Sequence, residues 1–322
     1  HSRCLVIGAG RIGLPLSVSL ARSGIDVTIL ERDGNKVSLI NEGLAPFYEV
    51  EMDESLAVAV KNGKILATLE LNEDDKFQTV ISAIGTGLNN DGTPDLSALE
   101  SLLDVVIPNI SKFGLLILKT TLPIGMTRMI ANKLYEKTKY TLDEELFVVF
   151  SPERIVEGKA MEELRTLPKI IGGIGPKSAI KANQILKNLG GEIIIVSDSE
   201  TAEMCKLLDN SYRMTRFGFA ADVAAVAVEN GIDAYEAIKA ANKGYERNNI
   251  PLPSVGVSGY CLTKDPYYLD SSAPDVWKNR GFPSTWNTAR RAADFQTTYA
   301  FNRIIEYFEG SIEGKRIVIG GI

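Results

Sequence analysis

The chain has 322 residues, of which 45% are hydrophobic and 24% are charged, as in globular proteins long enough for two or more domains. Its net charge of −6 argues against nucleic acid as a partner, and no apolar run approaches the roughly 18 residues of a membrane span. Three scattered cysteines suggest no disulfide framework, and no signal peptide is visible, so we expect a cytoplasmic protein.

The first predicted element is a buried strand, because residues 4–7 form a short apolar run. The sequence GAGRIG follows, with Gly8, Gly10 and Gly13 at the spacing of a dinucleotide-binding turn, and a predicted helix comes next. In such a turn the first glycine permits the tight bend, the second lets a pyrophosphate approach the backbone, and the third lets helix and strand pack closely. The pattern predicts a site for a nicotinamide or flavin dinucleotide.

A second predicted strand, residues 27–30, ends at Glu31. An acidic side chain at this point can hydrogen-bond the ribose hydroxyls of NAD and repels the 2′-phosphate of NADP. Arg32 follows directly, and an arginine at that position can accept the same phosphate, so NADP remains the alternative. We predict NAD as the cofactor.

Strand and helix patterns alternate through the rest of the first half. The predicted strands are residues 79–84, 115–118, 147–150 and 192–196, and the predicted helices are residues 95–106, 126–136 and 177–188. Alternation with continuously apolar strands predicts a Rossmann-like α/β domain, with a mainly parallel, doubly wound sheet.

The pattern changes after residue 198. Residues 199–229 contain no Pro and only one Gly, and their apolar residues recur at helical spacing, which predicts one very long helix. Further helices are predicted at residues 232–241 and 289–306. We therefore predict an NAD-binding domain at residues 1–198 and an all-α central domain at residues 199–292.

Residues 316–319 have the pattern of a strand that enters a glycine turn. Such a strand either pairs with the existing sheet or opens a second α/β domain, and we expect the latter, beginning in residues 293–322. Because a strand of that kind would lack its covering helix, we expect residues 1–322 to be part of a longer protein.

The segment at residues 250–269, IPLPSVGVSGYCLTKDPYYL, places Cys261 after a glycine-rich turn and before Lys264 and Asp265. A cation beside a thiol favours the thiolate, so Cys261 is a candidate nucleophile, although a buried, inert cysteine is the alternative. The only histidine is His1, so a proton acceptor has to be another residue or a water, and no catalytic metal is expected.

Five motifs in order carry a resemblance along essentially the whole chain. They are GAGRIG, KTTLPIG at residues 119–125, SPERIVEG at 151–158, AEMCKLLDN at 202–210 and GVSGYCLTKDP at 256–266. With these motifs the chain resembles the nucleoside-diphosphate-sugar 6-dehydrogenases, which include UDP-glucose, GDP-mannose and UDP-N-acetylhexosamine dehydrogenases.

The resemblance implies an NAD-dependent oxidation of a primary alcohol on a nucleotide sugar to a carboxylate, as in polysaccharide biosynthesis. Cys261 would trap the intermediate aldehyde as a thiohemiacetal, which is then oxidised to a thioester and hydrolysed. By resemblance, Lys206 and Asn210 stabilise the oxyanions, and Asp265 is a base for the hydrolysis. Lys206 and Asn210 lie on one face of the predicted long helix, since they are four positions apart.

The resemblance also implies roles for residues in three groups. The remaining catalytic candidates are Glu157, Glu153 and Thr121. The cofactor-binding candidates are Gly8, Gly10, Arg11, Ile12, Gly13, Glu31, Arg32, Lys36, Thr86 and Thr121. The substrate-binding candidates are Glu153, Arg154, Lys206, Asn210, Arg247, Gly259 and Tyr260.

Pro266 and its neighbours are more similar to the UDP-N-acetylhexosamine branch, nearest the UDP-N-acetylmannosamine and -glucosamine dehydrogenases, than to the UDP-glucose branch. UDP-glucose or GDP-mannose remains an alternative substrate. A two-electron hydroxyacid dehydrogenase and a non-catalytic NAD-binding protein are further alternatives. The family is similar in pairing through the long helix, and this helix carries an apolar stripe, so we expect a homodimer.

Overall fold

The structure is a computed structural model that describes residues 3–72 and 74–319, without the side chain of Tyr260. The chain divides into two compact units, residues 1–207 and residues 208–322. The division falls within the long helix, and the domain boundaries expected after residues 198 and 292 remain predictions.

An eight-stranded sheet forms the centre of the first unit. Its strands lie side by side in the order β10 (Ile193–Ile195), β9 (Lys169–Gly173), β8 (Leu146–Phe150), β7 (Ile110–Leu118), β4 (Phe77–Ser82), β1 (Arg3–Ile7), β2 (Asp26–Leu30) and β3 (Ile65–Thr68). Two short strands, β5 (Gly87–Leu88) and β6 (Pro94–Asp95), form a separate antiparallel pair.

The sheet confirms the predicted Rossmann-like fold. Every neighbouring pair in it is parallel except β8 and β9, which are antiparallel. Strand β1 pairs with β2 on one side and with β4 on the other, so the strand order reverses at β1. Open α/β sheets bind their ligands at such a reversal, outside the carboxyl ends of the strands. The glycine turn at residues 8–13 directly follows β1 and lies at this point.

Seven helices accompany the sheet in the described part of the first unit. They are α1 (Gly13–Arg22), α2 (Gly34–Asn41), α3 (Met52–Lys61), α4 (Ser97–Asn109), α5 (Met126–Thr138), α6 (Ala160–Thr166) and α7 (Pro176–Leu186), with a 3₁₀ turn at Lys187–Leu189. Alternate strand residues enter two hydrophobic clusters. Val6 belongs to one cluster, while Leu5 and Ile7 belong to the other, which is the period of two expected of a sheet buried on both faces.

The structure contains the predicted long helix, and the second unit is helical, as the sequence predicts. The helices are α8 (Ser199–Glu229), α9 (Ala234–Asn242), α10 (Tyr260–Ser271), α11 (Asp275–Lys278) and α12 (Thr285–Tyr307). In the second unit α8 approaches α12 closely at Gly218, where an added Cβ would lie 2.5 Å from the Cβ of Ala289. Met214, Leu262 and Ala293 form a small core among α8, α10 and α12.

The structure corrects one expectation and places Cys261 in a helix. Residues 316–319 form no strand, and Val318 and Ile319 are more than four-fifths exposed. An apolar run becomes a strand only when a neighbouring strand satisfies its backbone groups, and nothing in the described residues pairs with this one. The glycines after residue 319 lie outside the described residues. No helix was predicted around Cys261, which lies in the first turn of α10.

Candidate active site

The glycine turn fits a dinucleotide. Gly8 adopts a φ of +97°, and an added Cβ on Gly13 would lie 1.9 Å from the carbonyl oxygen of Gly8, so the fold itself requires glycine at both positions. An added Cβ on Gly10 would meet nothing within 4 Å. The space beside Gly10 is therefore open, so a pyrophosphate can approach the backbone at the start of α1.

Glu31 is buried at the end of β2, where its carboxylate accepts hydrogen bonds from the backbone N–H groups of Ala9 (2.8 Å) and Asp33 (3.1 Å). These bonds join the glycine turn to the start of α2. A carboxylate has about four acceptor positions, so two hydrogen bonds leave it able to accept ribose hydroxyls. Arg32 is exposed, and Lys36 is half-buried in the first turn of α2.

Arg11 lies in the glycine turn and connects it to two other loops. Its guanidinium lies over the ring of Phe47, donates to the carbonyl of Tyr48 (3.2 Å), and is 3.5 Å from the carboxylate of Glu157. Arg11 and Glu157 are both largely exposed. Ile12 is the residue immediately before α1. The structure thus brings Arg11 and Glu157, predicted for cofactor and catalysis, into contact.

Thr86 and Thr121, both predicted to bind the cofactor, lie together. The hydroxyl of Thr86 donates to the backbone carbonyl of Thr121 at 2.9 Å. Next to them, the hydroxyl of Thr120 donates to the carbonyl of Ile84 at 3.0 Å. These bonds join the loops that follow β4 and β7, at the carboxyl edge of the sheet.

Glu153 is buried beside Lys119, a lysine that was not among the predicted site residues. One carboxylate oxygen lies 3.2 Å from the Nζ of Lys119, and the other accepts from the backbone N–H of Arg154 at 3.0 Å. Lys119 also lies 3.4 Å from the carbonyl oxygen and 3.5 Å from the hydroxyl of Ser151. Burial alone would raise the pKa of Glu153, but Lys119, the N–H of Arg154 and Lys169 outweigh it and hold that pKa below its usual range.

Lys169 is the second buried lysine near Glu153. Its Nζ donates to the carbonyl oxygens of Leu164 (2.6 Å), Leu167 (3.2 Å) and Gly190 (2.5 Å), which together accept all three N–H groups of an ammonium. Burial, and then the charge of Lys119, lowers the pKa of Lys169 to about 8. The three carbonyls favour the charged form at neutral pH, so Glu153 has two cationic neighbours.

The SPERIVEG motif does not place its two glutamates in the same environment. Residues 151–156 have no regular secondary structure, so Glu153 turns into the protein while Glu157 remains exposed. The guanidinium of Arg154 donates to the carbonyl of Pro168 at 2.7 Å. At the end of the motif the buried carboxylate of Glu49 accepts from the N–H groups of Gly158 and Ala160, and this anchor was also missed in the sequence.

Lys206 lies in the second turn of α8, half-buried, and its ammonium donates to the backbone carbonyl of Glu153 at 2.8 Å. One turn earlier, buried Glu203 accepts from the N–H groups of Gly125 and Thr127 and from the hydroxyl of Thr127, at 2.6–2.7 Å. These contacts hold the start of α8 to the ends of the KTTLPIG and SPERIVEG motifs.

In the second unit, α10 presents Cys261 and buries Asp265 one turn later. Gly259, with a φ of +99°, precedes the helix, and Cys261 is exposed in its first turn. Asp265 is fully buried, with Lys264 3.2 Å from one carboxylate oxygen and the amide of Asn210 donating to the other at 2.5 Å. The structure therefore brings Asn210 and Asp265, two of the predicted catalytic residues, together.

Lys264, Arg247 and Tyr260 complete the predicted set. The ammonium of Lys264, expected beside the thiol, is paired with Asp265 and lies 4.3 Å from the centre of the Tyr268 ring. Arg247 is exposed and lies over the ring of Tyr245. The side chain of Tyr260 lies outside the described residues, so its expected contact with substrate stays a prediction.

The described residues contain neither a metal-binding cluster nor a membrane-spanning helix. No three His, Cys, Asp or Glu side chains there are grouped so that they could hold a metal ion. No helix in the same part of the chain is long and apolar enough to cross a membrane.

Comparison with known proteins gives related enzymes. A UDP-N-acetyl-D-mannosamine dehydrogenase of Pyrococcus horikoshii is 34% identical over 85% of this chain and 65% of its own length. An NDP-N-acetyl-D-galactosaminuronic acid dehydrogenase of Ralstonia nicotianae is 30% identical over 93% of this chain and 70% of its own length. The chain thus spans about two thirds of these curated relatives.

The solved structure of a UDP-D-ManNAc dehydrogenase from Pyrococcus horikoshii superposes with a TM-score of 0.89 at 32% identity, covering 95% of this chain and 72% of that one. Residues 2–190 match the NAD binding domain of the UDP-glucose/GDP-mannose dehydrogenase family, and residues 200–292 match its central domain. The chain therefore belongs to the UDP-glucose/GDP-mannose dehydrogenase family.

Proposed function

We propose that the protein oxidises the primary alcohol of a nucleotide sugar to a carboxylate, through a thioester on Cys261 and with NAD as hydride acceptor. The balanced reaction consumes one alcohol, one water and two NAD⁺, and releases one carboxylate, two NADH and three protons. The proposal rests on family membership and on the residues that surround the thiol.

The observation that carries the proposal is that one helix presents an exposed thiol and a buried carboxylate, and that this carboxylate accepts a hydrogen bond from the Asn210 amide. Cys261 and Asp265 are four residues apart in α10 and so lie on the same face. The contrast with Cys4 is informative, because burial raises the pKa of the Cys4 thiol to about 12 and leaves it inert. A dehydrogenase that transfers only one hydride needs no nucleophilic thiol.

The residues divide the work as follows. In the first oxidation, Lys206 stabilises the alkoxide as the alcohol loses its proton. The sulfur of Cys261 then adds to the aldehyde carbon, and Lys206 and Asn210 stabilise the resulting oxyanion. Asn210 has two N–H groups on its amide, and Asp265 engages one of them, so the other is available to an oxyanion.

The second oxidation leaves a thioester, which water hydrolyses to the acid while the thiol is regenerated. Asp265 is the proposed base for this water, and Glu157, Glu153 and Thr121 are proposed to support the water and the substrate. When bound, NAD⁺ supplies the hydride acceptor for each of the two oxidations. Without the thiol the aldehyde cannot form a species that donates the second hydride.

The cofactor preference is proposed from Glu31. Its carboxylate is fixed by Ala9 and Asp33 at the end of β2, where a 2′-phosphate would meet a buried negative charge. Comparable turnover with NADP and NAD would contradict this assignment, and exposed Arg32 would then be the residue to test.

The substrate is proposed to be a UDP-N-acetylhexosamine. The relatives described above carry names that differ in the sugar, mannosamine or galactosaminuronic acid, but share the N-acetyl group. Because the chain spans about two thirds of their length, the assay requires both these 322 residues and the complete gene product.

The test is a panel of UDP- and GDP-sugars with NAD⁺, followed by mass spectrometry of the products. We expect a uronic acid and two NADH per sugar from an N-acetylhexosamine substrate. One NADH per turnover would indicate the two-electron alternative. NAD binding with no turnover of any sugar by the complete protein would indicate a non-catalytic NAD-binding protein.

We further propose that the protein forms a homodimer through α8. Tyr212, Phe219 and Val226 are each more than half exposed and recur at intervals of seven, so they form one apolar stripe along this helix. A stripe with that period is typical of helices that pack lengthwise against another helix.

A further inference from the structure

Lys119 is almost completely buried, and the proposed chemistry gives it no direct role. Its Nζ faces three oxygen atoms of the segment after β8: the carbonyl and hydroxyl of Ser151 and the carboxylate of Glu153. An ammonium has three N–H groups, and these three oxygens are their acceptors. Lys119 therefore holds residues 151–153 against the end of β7.

The segment that Lys119 holds is the segment that orients Lys206. The backbone carbonyl of Glu153 accepts the hydrogen bond from Lys206. A lysine side chain has four rotatable bonds, so its ammonium has no fixed position unless another group restrains it. The carbonyl restrains it only as long as the backbone at Glu153 stays in place.

We propose that Lys119 is a positioning residue for Lys206, acting through the backbone at Glu153. This inference rests on the proposed function, in which Lys206 stabilises the oxyanions. Loss of Lys119 would leave the buried carboxylate of Glu153 without its cation, and the segment would move to relieve it. The amine of Lys206 would then lose its fixed acceptor, although Lys206 itself is unchanged.

A matched control lies on the same pair of strands. Lys112, also in β7, pairs with Glu145 just before β8 at 2.7 Å, at the opposite end of the strands, where Lys112 is exposed and Glu145 is half-buried. Lys112→Met removes a Lys–Glu pair between the same two strand segments without affecting residues 151–153. We expect wild-type turnover from this control.

The kinetic test is a double-mutant cycle in the complete gene product, with the rate of NADH formation from the nucleotide sugar as the readout. Lys119→Met should lower kcat by about 10- to 100-fold, as misplacement of a catalytic group by about 1 Å does. The KM for NAD⁺ should stay unchanged, and Lys119→Arg should recover part of the loss. In a Lys206→Ala background, Lys119→Met should have no further effect.

The inference would be overturned if Lys119→Met lowered kcat by the same factor in the Lys206→Ala background as in the wild-type protein. A normal kcat in Lys119→Met would also overturn it. If Lys119→Met does not fold, Lys119→Gln takes its place, because it also removes the charge but keeps a polar side chain in the buried site. A lower kcat in Lys119→Gln supports the inference, and a wild-type kcat refutes it.

A second readout needs no turnover. The backbone N–H of Arg154 donates to the Glu153 carboxylate, so its hydrogen exchange reports whether the segment is held. Exchange should be faster in Lys119→Met and unchanged in Lys112→Met, and unchanged exchange in both would refute the inference. The exchange experiment tests the role of Lys119 whether or not the proposed reaction is correct. The proposed reaction itself is refuted only if the wild-type protein makes no carboxylate.

Discussion

The ammonium of Lys206 donates a 2.8 Å hydrogen bond to the backbone carbonyl of Glu153, 53 positions earlier in the sequence. The bond connects α8 to the loop after β8, at the carboxyl edge of the sheet. One N–H group of the ammonium is thereby fixed, and the direction of the others is set with it. Lys206 is thus pre-oriented, which its proposed role as an oxyanion donor requires.

Replacing Lys206 by Ala should slow oxidation by about two to three orders of magnitude, as loss of one oxyanion donor typically does. NAD binding should be retained, because the glycine turn does not contact this side chain. Stopped-flow measurement of the first NADH formed, with calorimetry for NAD, separates the two effects. A variant with an unchanged first oxidation would exclude Lys206 from the chemistry.

The two glycines of the cofactor turn should respond differently to the same substitution. Gly10→Ala places its Cβ in open space, so we expect an unchanged melting temperature but much weaker NAD binding. Gly13→Ala places its Cβ 1.9 Å from the carbonyl oxygen of Gly8, so we expect a destabilised protein. Calorimetric titration and thermal unfolding measure the two effects. Wild-type NAD affinity in Gly10→Ala would contradict the placement of the pyrophosphate.

Glu153 should make stability depend on pH in a defined window. Its folded-state pKa is lowered, so its contribution to the free energy of unfolding is present above the unfolded pKa, near 4.5. The contribution is lost as pH falls through the lower, folded pKa. Glu153→Gln should therefore be less stable than wild type at pH 7, and the difference should shrink as pH falls below about 4.5.

Glu157→Gln is the matched control for this measurement, because Glu157 lies in the same motif but is exposed. Its pair with exposed Arg11, at 3.5 Å, is a surface ion pair. Exposed pairs contribute about 0–1 kcal/mol, so little change is expected at any pH. Urea unfolding at several pH values gives both curves. A difference between wild type and Glu153→Gln that stays constant with pH would be evidence against the ion pair with Lys119.

The apolar stripe on α8 predicts a dimer that a charge should disrupt. Phe219→Glu places a carboxylate in the centre of the stripe, so we expect a monomer with wild-type helix content. Sedimentation velocity at micromolar concentration measures the change, and Val58→Glu, at an exposed apolar position in α3, is the control. A stable monomer of the wild-type protein would refute the proposed homodimer.

Much of the fold follows from the sequence because its signals are local. The predicted limits of α8, residues 199–229, agree with the structure, since the run has no proline and one glycine. Strands β3 and β9 were missed, although Asn62-Gly63 before β3 and Pro168 before β9 are turn signals. The strand predicted at residues 316–319 was wrong, since an apolar run specifies a strand only when a partner lies beside it.

The sequence offers candidate reactive residues, but it does not reveal the buried charged residues that hold them in place. Lys119, Glu203 and Glu49 are charged residues, which are usually exposed, and each finds its partners 32 or more positions away in sequence. No local pattern reveals such contacts. The helix around Cys261 was missed for a different reason: Pro266 lies inside it, and proline normally signals the end of a helix.

The most direct test of the central proposal is the product formed by Cys261→Ser in the complete gene product. Because the thiol is needed to convert the aldehyde into a hydride donor, we expect no uronic acid by mass spectrometry. The control Cys205→Ala should form the acid at the wild-type rate. Release of uronic acid by Cys261→Ser at a near-normal rate would contradict the proposed thioester.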